Sequence, residues 1–302
     1  MRQHRVATPV DFTVMEIGFR LVDVFTEVPF AGNQLCVVPE PPEDLDAAVM
    51  QTLAREIGFS ETTFVSSADA AGYRMRIFTP EAELPFAGHP TLGTAFTLAR
   101  EGRIGASVVQ TTLAGEVPVQ IDLAAGSAVM QQLPAEFGPA FDDRELAAAA
   151  AGLGASALAA DLPVQAVGTG LTSLMIPVRD EQTLRAAERD GRACAKLAAV
   201  AGADTLYFFA VRGVGDVMAR MFDPGIGIGE DPATGSAVGP LGAYLAEHGL
   251  AGAADGAHIL VAQGEMVNRP SFLHVDVERD GDGWSVRVGG GVRIVGQGTF
   301  RF

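Results

Sequence analysis

The chain has 302 residues, is 48% hydrophobic with 36 glycines, and carries a net charge of −16. That length fits one large or two medium domains with a sizeable core, and the composition excludes a disordered chain. The acidity argues against nucleic acid or an anionic membrane surface as partner, although a local site can still oppose that field and take a small anionic substrate.

Residues Met1–Glu16 mix charge and polarity without a signal-peptide core; they read as an extension before the first strand, with Met15 as an alternative start. No stretch approaches about 18 uninterrupted apolar residues, so no membrane span is expected. Phe19–Phe25 alternates as a strand, Pro29–Asn33 is a loop, and Leu35–Val38 is a second strand. Asp44–Glu56 has helical spacing, with Leu45, Val49, Leu53 and Ile57 on one face and Gly58 as the stop. Thr62–Ser66 and Tyr73–Phe78 read as strands. Cys36 and Cys194 have no metal-type spacing and read as buried thiols in a reducing cytoplasm.

Next comes Gly88-His89-Pro90-Thr91-Leu92-Gly93-Thr94-Ala95, which looks like Glu230-Asp231-Pro232-Ala233-Thr234-Gly235-Ser236-Ala237 further on. Proline is favoured at the first position of a helix, which predicts His89 and Asp231 as N-caps of two helices. Both helices, Thr91–Leu98 and Thr234–Leu245, are small and uncharged around their circumference, which predicts burial. Their starts would offer free N–H groups to an anion.

The likeness extends along the chain. Leu53, Gly58, Phe64, Arg76, Phe78 and Pro80 each recur 144 residues later, as Leu197, Gly202, Phe208, Arg220, Phe222 and Pro224. Pro90, Gly93 and Ala95 then match Pro232, Gly235 and Ala237 after a two-residue shortening. We read an internal duplication: two similar halves, each a curved sheet of short strands around one central helix, joined near Leu123–Gln131. The tail, Trp284–Phe302, reads as strands separated by glycine turns or a bulge. Gly289-Gly290-Gly291 lacks the spacing and lysine of a phosphate loop.

Glu61 follows the helix stop at the mouth of a strand, beside Phe59 and Phe64, and its counterpart in the second half is Thr205. A carboxyl kept in one half only is a candidate acid/base with a raised pKa; the plain alternative is an exposed strand-edge glutamate. His89 can be a cap, a proton shuttle or a substrate ligand. Asp231 can be a cap, can orient His89, or can bind a substrate amino group. Gly93, Thr94, Gly235 and Ser236 are expected to present N–H and hydroxyl groups to a carboxylate or a developing enolate. Asn33 is a further polar candidate, though a turn explains it equally well. No His-Glu-x-x-His, acidic histidine cluster or Gly-x-Ser-x-Gly occurs, so no metal and no serine triad are expected. Loops near 225–229 and 134–141 are candidates for setting specificity.

Asp23-Val24-Phe25 with Pro29-Phe30-Ala31-Gly32-Asn33, then Phe59-Ser60-Glu61-Thr62, Phe78-Thr79-Pro80 with Pro85 to Thr91, and Glu230 to Ala237 together resemble the phenazine-biosynthesis PhzF-like family. The resemblance runs from about Phe19 to the C-terminus. It implies an α+β, diaminopimelate epimerase-like fold of two pseudo-symmetric domains, each a mostly antiparallel curved sheet wrapped around a central helix, with the site in the cleft between them. Residues 1–16 would be an extension, 17–125 the first half, completed by 289–302, and 126–288 the second. It further implies a homodimer, no cofactor, and an isomerase that moves a proton with Glu61. His89, Asp231 and Ser236 would surround the substrate, with backbone from Gly88 and Gly235. Related epimerases place one cysteine at each helix start. Here His89 and Asp231 stand there, which favours a one-carboxyl proton shift over two-thiol epimerisation. An epimerase or racemase of a small amino or hydroxy acid, or a small-acid binding protein without turnover, are the other readings.

Overall fold

The computed structural model describes residues 15–112, 115–225, 229–252 and 256–302. The expected extension lies outside these residues up to position 14. Met15 and Glu16 already belong to the fold: the Met15 N–H donates to the Phe302 carbonyl, and Glu16 is in register with Arg301.

The first half runs β1 (Glu16–Val24), β2 (Asn33–Val38), α1 (Ala47–Ile57), β3 (Glu61–Ala68), β4 (Gly72–Phe78), β5 (Glu83–Leu84), α2 (Gly88–Arg100), β6 (Ser107–Thr111) and β7 (Glu116–Asp122). β8 (Ser127–Gln131) and β9 (Glu136–Ala140) lead into the second half: α3 (Arg144–Ala149), β10 (Gln165–Gly168), β11 (Thr172–Pro177), α4 (Glu181–Arg185), α5 (Gly191–Ala201), β12 (Thr205–Gly213), β13 (Asp216–Phe222), β14 (Glu230–Asp231), α6 (Gly235–Glu247), β15 (Gly256–Gln263) and β16 (Ser271–Asp280). β17 (Gly283–Arg301) ends the chain.

The helix α1 begins at Ala47, three residues later than Asp44. Asp46 takes the N-cap by accepting from the Ala48 N–H, and Gly58 closes the helix in the left-handed conformation that glycine adopts cheaply. Strict alternation in β7 buries Val117, Val119 and Ile121. Both central helices are buried, from Gly88 to Ala99 and from Gly235 to Leu245. Inside the first barrel the polar groups of α2 are satisfied locally: Tyr73 donates to the Thr91 carbonyl, and Thr94 bonds Thr63.

Each half closes on itself. Pairing runs β1–β2–β3–β4–β6–β7–β8–β17 and back to β1 around α2. The second circuit runs β17–β16–β15–β13–β12–β11–β10–β9 around α6, and the β8–β9 segment returns it to β17. One core fills both barrels, while α1 and α3–α5 cover separate apolar patches on the outside.

Two strands cross between the barrels, and here the structure corrects the reading of the tail. β17 is one continuous strand that pairs with β16, then β8, then β1; the glycine turns are absent, but the bulge is there, at Val295 between the partners of Leu21 and Val22. Gly289–Gly291 make no turn. A side chain on Gly289 would strike the Ala128 carbonyl at 2.8 Å, and one on Gly291 the Thr26 carbonyl at 2.3 Å. Close backbone approach at the crossing selects these glycines.

The duplication also changes register. Helices α1 and α5, their caps Gly58 and Gly202, and the strands after them keep the offset of 144. The central helices do not show the expected two-residue shortening. They begin at Gly88 and Gly235, 147 apart, and the Arg76–Glu83 pair recurs as Arg220–Glu230 with its acid 147 later. The second copy is therefore three residues longer before the helix, and Gly235 is the counterpart of Gly88, not of Gly93.

Candidate active site

The N-termini of α2 and α6 meet tip to tip. A side chain on Gly88 would come within 2.7 Å of Gly235 C and Ser236 N. The caps are Ala87 and Thr234, neither with a side-chain cap bond, so His89 and Asp231 are not the N-caps expected from Pro90 and Pro232. His89 is the second residue of its helix. Asp231 is held in β14, opposite Met221, before the helix begins. The first-turn N–H groups of Gly88, His89, Gly235 and Ser236 have no carbonyl one turn earlier in the helix, and both positive helix ends face the junction. Gly93 and Thr94 lie in the second turn, where their N–H groups are inside the helix ladder. Gly93 allows α2 to approach Leu35 and Val24, and Thr94 bonds Thr63 at 2.9 Å.

Glu61 opens β3 opposite Leu35, just after the left-handed Gly58. Its Oε2 lies 3.2 Å from His89 Nε2 yet makes no aligned hydrogen bond, and its side chain is 13% exposed against 4% for His89. Burial raises its pKa well above the ordinary carboxylate range, and the nearby charge of Asp231 raises it further. At the equivalent position Thr205 bonds Ser173, with no carboxyl.

Asn33 is fully buried and ties the pieces together. Its Nδ2 donates to the Ala233 carbonyl and to Asp231 Oδ1, and its Oδ1 accepts from Ser60. The backbone carbonyl fixes the orientation of the amide. His89 Nδ1 lies 3.2 Å from the same nitrogen, which cannot accept a proton, so the ring proton is on Nε2, towards the Gln34 carbonyl. Burial lowers the His89 pKa to about 3, so the ring is neutral. Asn33 thus serves the protein rather than presenting its amide to a ligand. Its loop is pinned by Arg269 of the second half, which binds Asp23 and the carbonyls of Ala31 and Gly32.

A cleft of about 520 Å³ adjoins this cluster, walled by Gln34, Phe59, Ser60 and Pro80 from one half and by Asp223, Glu230 and Pro232 from the other; Glu61, His89 and Asp231 themselves do not line it, and are reached through their neighbours Ser60, Gln34 and Pro232. Gly225 lines it, whereas residues 226–228 lie outside the described residues. Pro134–Phe141 borders a different groove, away from this cleft. Both cysteines are buried elsewhere: Cys36 within β2, its thiol pushed up to about 12, and Cys194 bonded to the Ala150 carbonyl. Among the described residues no group of three or more His, Cys, Asp or Glu converges on a metal position, and no helix is long and apolar enough to cross a membrane.

Sequence reasoning missed Ser60, Thr234, Gln263 and Tyr207. Tyr207 sits between Leu206 and Phe208 and reads as core; only the fold turns its hydroxyl to Gln263.

Two pseudo-symmetric barrels whose central helices converge on buried carboxyls at the join define an α+β isomerase architecture of the diaminopimelate epimerase type. The sequence model described as phenazine biosynthesis-like protein matches residues 22–298, and the chain belongs to that family and is an isomerase. An uncharacterized isomerase of Deinococcus radiodurans is 36% identical, covering 96% of each chain. The trans-2,3-dihydro-3-hydroxyanthranilate isomerase of Pseudomonas chlororaphis is 34% identical over 92% of this chain and 97% of its own. The crystal structure of a Bacillus anthracis phenazine biosynthesis protein of the PhzF family superposes with a TM-score of 0.85 at 26% identity, covering 95% of this chain and 99% of that one.

Proposed function

We propose that the chain is a cofactor-independent isomerase that relocates a proton on a small, carboxylate-bearing conjugated or cyclic substrate. Glu61 gives a proton to one carbon and recovers one from another, so the enzyme returns to its starting state and the substrate keeps its formula. The observation that carries this reading is the Glu61 carboxyl: buried, with one oxygen lacking a hydrogen bond, beside a neutral His89, and next in the chain to Ser60 of the cleft wall. A buried carboxyl whose pKa is raised, with an oxygen free of a fixed partner, suits proton transfer to and from carbon. The substrate carboxylate would meet the N–H groups of Gly88, His89, Gly235 and Ser236, where both helix dipoles favour negative charge. The cleft volume of about 520 Å³ suits a small molecule.

The test is hydrogen exchange from D2O followed by NMR, with trans-2,3-dihydro-3-hydroxyanthranilate, the compound in the relative's name, as first probe. Glu61→Gln should lower turnover and deuterium incorporation together, by about 10²- to 10⁴-fold. Exchange at the wild-type rate in that variant would remove Glu61 from the mechanism. Absence of exchange with any carboxylate that binds the intact protein would make it a binding protein.

A further inference from the structure

Four side chains that do not line the cleft, ending on Asp231, form a one-way hydrogen-bond series. Tyr207 of β12 donates to Gln263 Oε1 at 2.8 Å. Gln263, at the end of β15, donates from Nε2 to Thr234 Oγ1 at 3.0 Å and to the Asp231 carbonyl at 2.8 Å. Thr234 donates to Asp231 Oδ2 at 2.5 Å. The direction is fixed by two groups with no choice. The Thr234 backbone N–H can only donate, and it faces Gln263 Oε1; the Asp231 carbonyl can only accept, and it faces Nε2. The Gln263 amide therefore has one orientation and Thr234 Oγ1 accepts from it, which leaves the threonine proton available to donate to Asp231 Oδ2.

On the other side Asn33 donates to Asp231 Oδ1. Both carboxylate oxygens thus receive donors. A donor on each oxygen stabilises the charged form more than the neutral one, so this cage favours the anion. Glu61 receives no comparable cage: its Oε2 has no aligned donor. We propose that Tyr207, Gln263 and Thr234 are positioning residues that hold Asp231 as the fixed carboxylate and, through its charge, keep Glu61 as the proton-bearing partner. The two buried carboxyls are thereby given different work by hydrogen bonding, not by sequence.

The groups that face Asp231 are Glu61, His89 through Asn33, Tyr207 through Gln263, and the charge of Asp223. Burial, with the charge of Asp223, raises the pKa of Asp231 to about 7, against which the Thr234, Asn33 and Ser60 hydrogen bonds pull down. Removal of the relay should therefore raise Asp231 and, with less negative charge beside it, lower Glu61.

The relay rests on the isomerase reading only for the role of Glu61. Its test needs no substrate, so the two fail separately. Carboxyl titrations of the full chain labelled with ¹³C at Asp and Glu side chains give both midpoints. In the wild type Asp231 should ionise before Glu61. Thr234→Val should raise Asp231 by about one pH unit and lower Glu61. Tyr207→Phe, which keeps the ring, should act in the same direction by less, and Thr234→Ser should restore the wild-type order. Glu61 ionising first in the wild type would overturn the assignment. So would a Tyr207→Phe protein, or a folded Thr234→Val protein, in which both midpoints stay in place.

Discussion

Glu61 and His89 sit 3.2 Å apart, and burial acts on them with opposite sign. The pKa of Glu61 is raised, so the folded chain keeps a proton that the unfolded chain has lost. Its stabilising contribution is full below the ordinary carboxylate pKa and declines as pH rises through the raised value. His89 is lowered to about 3. Its contribution is present above the ordinary histidine pKa and is lost as pH falls towards 3. Glu61→Gln removes the first of these slopes. Urea unfolding between pH 5 and 8 should show wild-type stability falling towards pH 8 more steeply than that of Glu61→Gln, with the variant at least as stable at neutral pH. Equal slopes would mean that Glu61 is solvated and ordinary. The sequence marked Glu61 through its absence from the second half, a signal that needs no coordinates. It could not mark Asn33 as a structural tie, because that role depends on Ser60, His89, Asp231 and Ala233, drawn from three distant segments.

Among the elements, the repeated Arg–Glu pair measures how far the two halves have diverged. Arg76 and Glu83 form a bidentate pair with 35% and 39% of their side chains exposed, and Arg220 and Glu230 repeat it at 8% and 11%. In both the guanidinium also covers a phenylalanine, Phe78 or Phe222. Arg220 additionally donates to the carbonyls of Leu184 and Ala187, so it stays buried when its counter-ion is removed. Glu230→Gln should therefore cost about 3–5 kcal/mol, and Glu83→Gln no more than about 1 kcal/mol, both by urea unfolding. Similar costs would show that burial does not separate the copies. The same pair explains why the repeat was legible only up to its strands. Arg76, Phe78 and Pro80 hold one offset, and the added residues fall in the sequence between Pro224 and Glu230. Two proline-containing motifs on either side of that insertion look alike by composition, yet Pro90 lies inside α2 and Pro232 outside α6.

For the whole molecule, the two buried helices were legible because a helix without charge on any face has nowhere to go but a core. The crossing was not legible. Ser127–Gln131 pairs with Arg287–Gly291, and pairing across that separation leaves no local period in the sequence. Yet the crossing decides cooperativity. Since β17 pairs with strands of both barrels and the chain passes from one to the other after β8, neither barrel can open without exposing strand edges of the other. Trp284, the single tryptophan, reports the second barrel: it lies on β17, is buried, and donates to Glu247 of α6. Thermal unfolding followed by Trp284 fluorescence and by far-UV circular dichroism should therefore give one coincident transition. A chain ending at Gly291 loses Val292–Arg301, the segment whose nine paired positions close the first barrel against β1. There the dichroism midpoint should fall several degrees below the fluorescence midpoint, because the first barrel opens while β16 still holds the tryptophan strand. Two separate transitions in the intact chain would mean that the shared strands do not couple the halves.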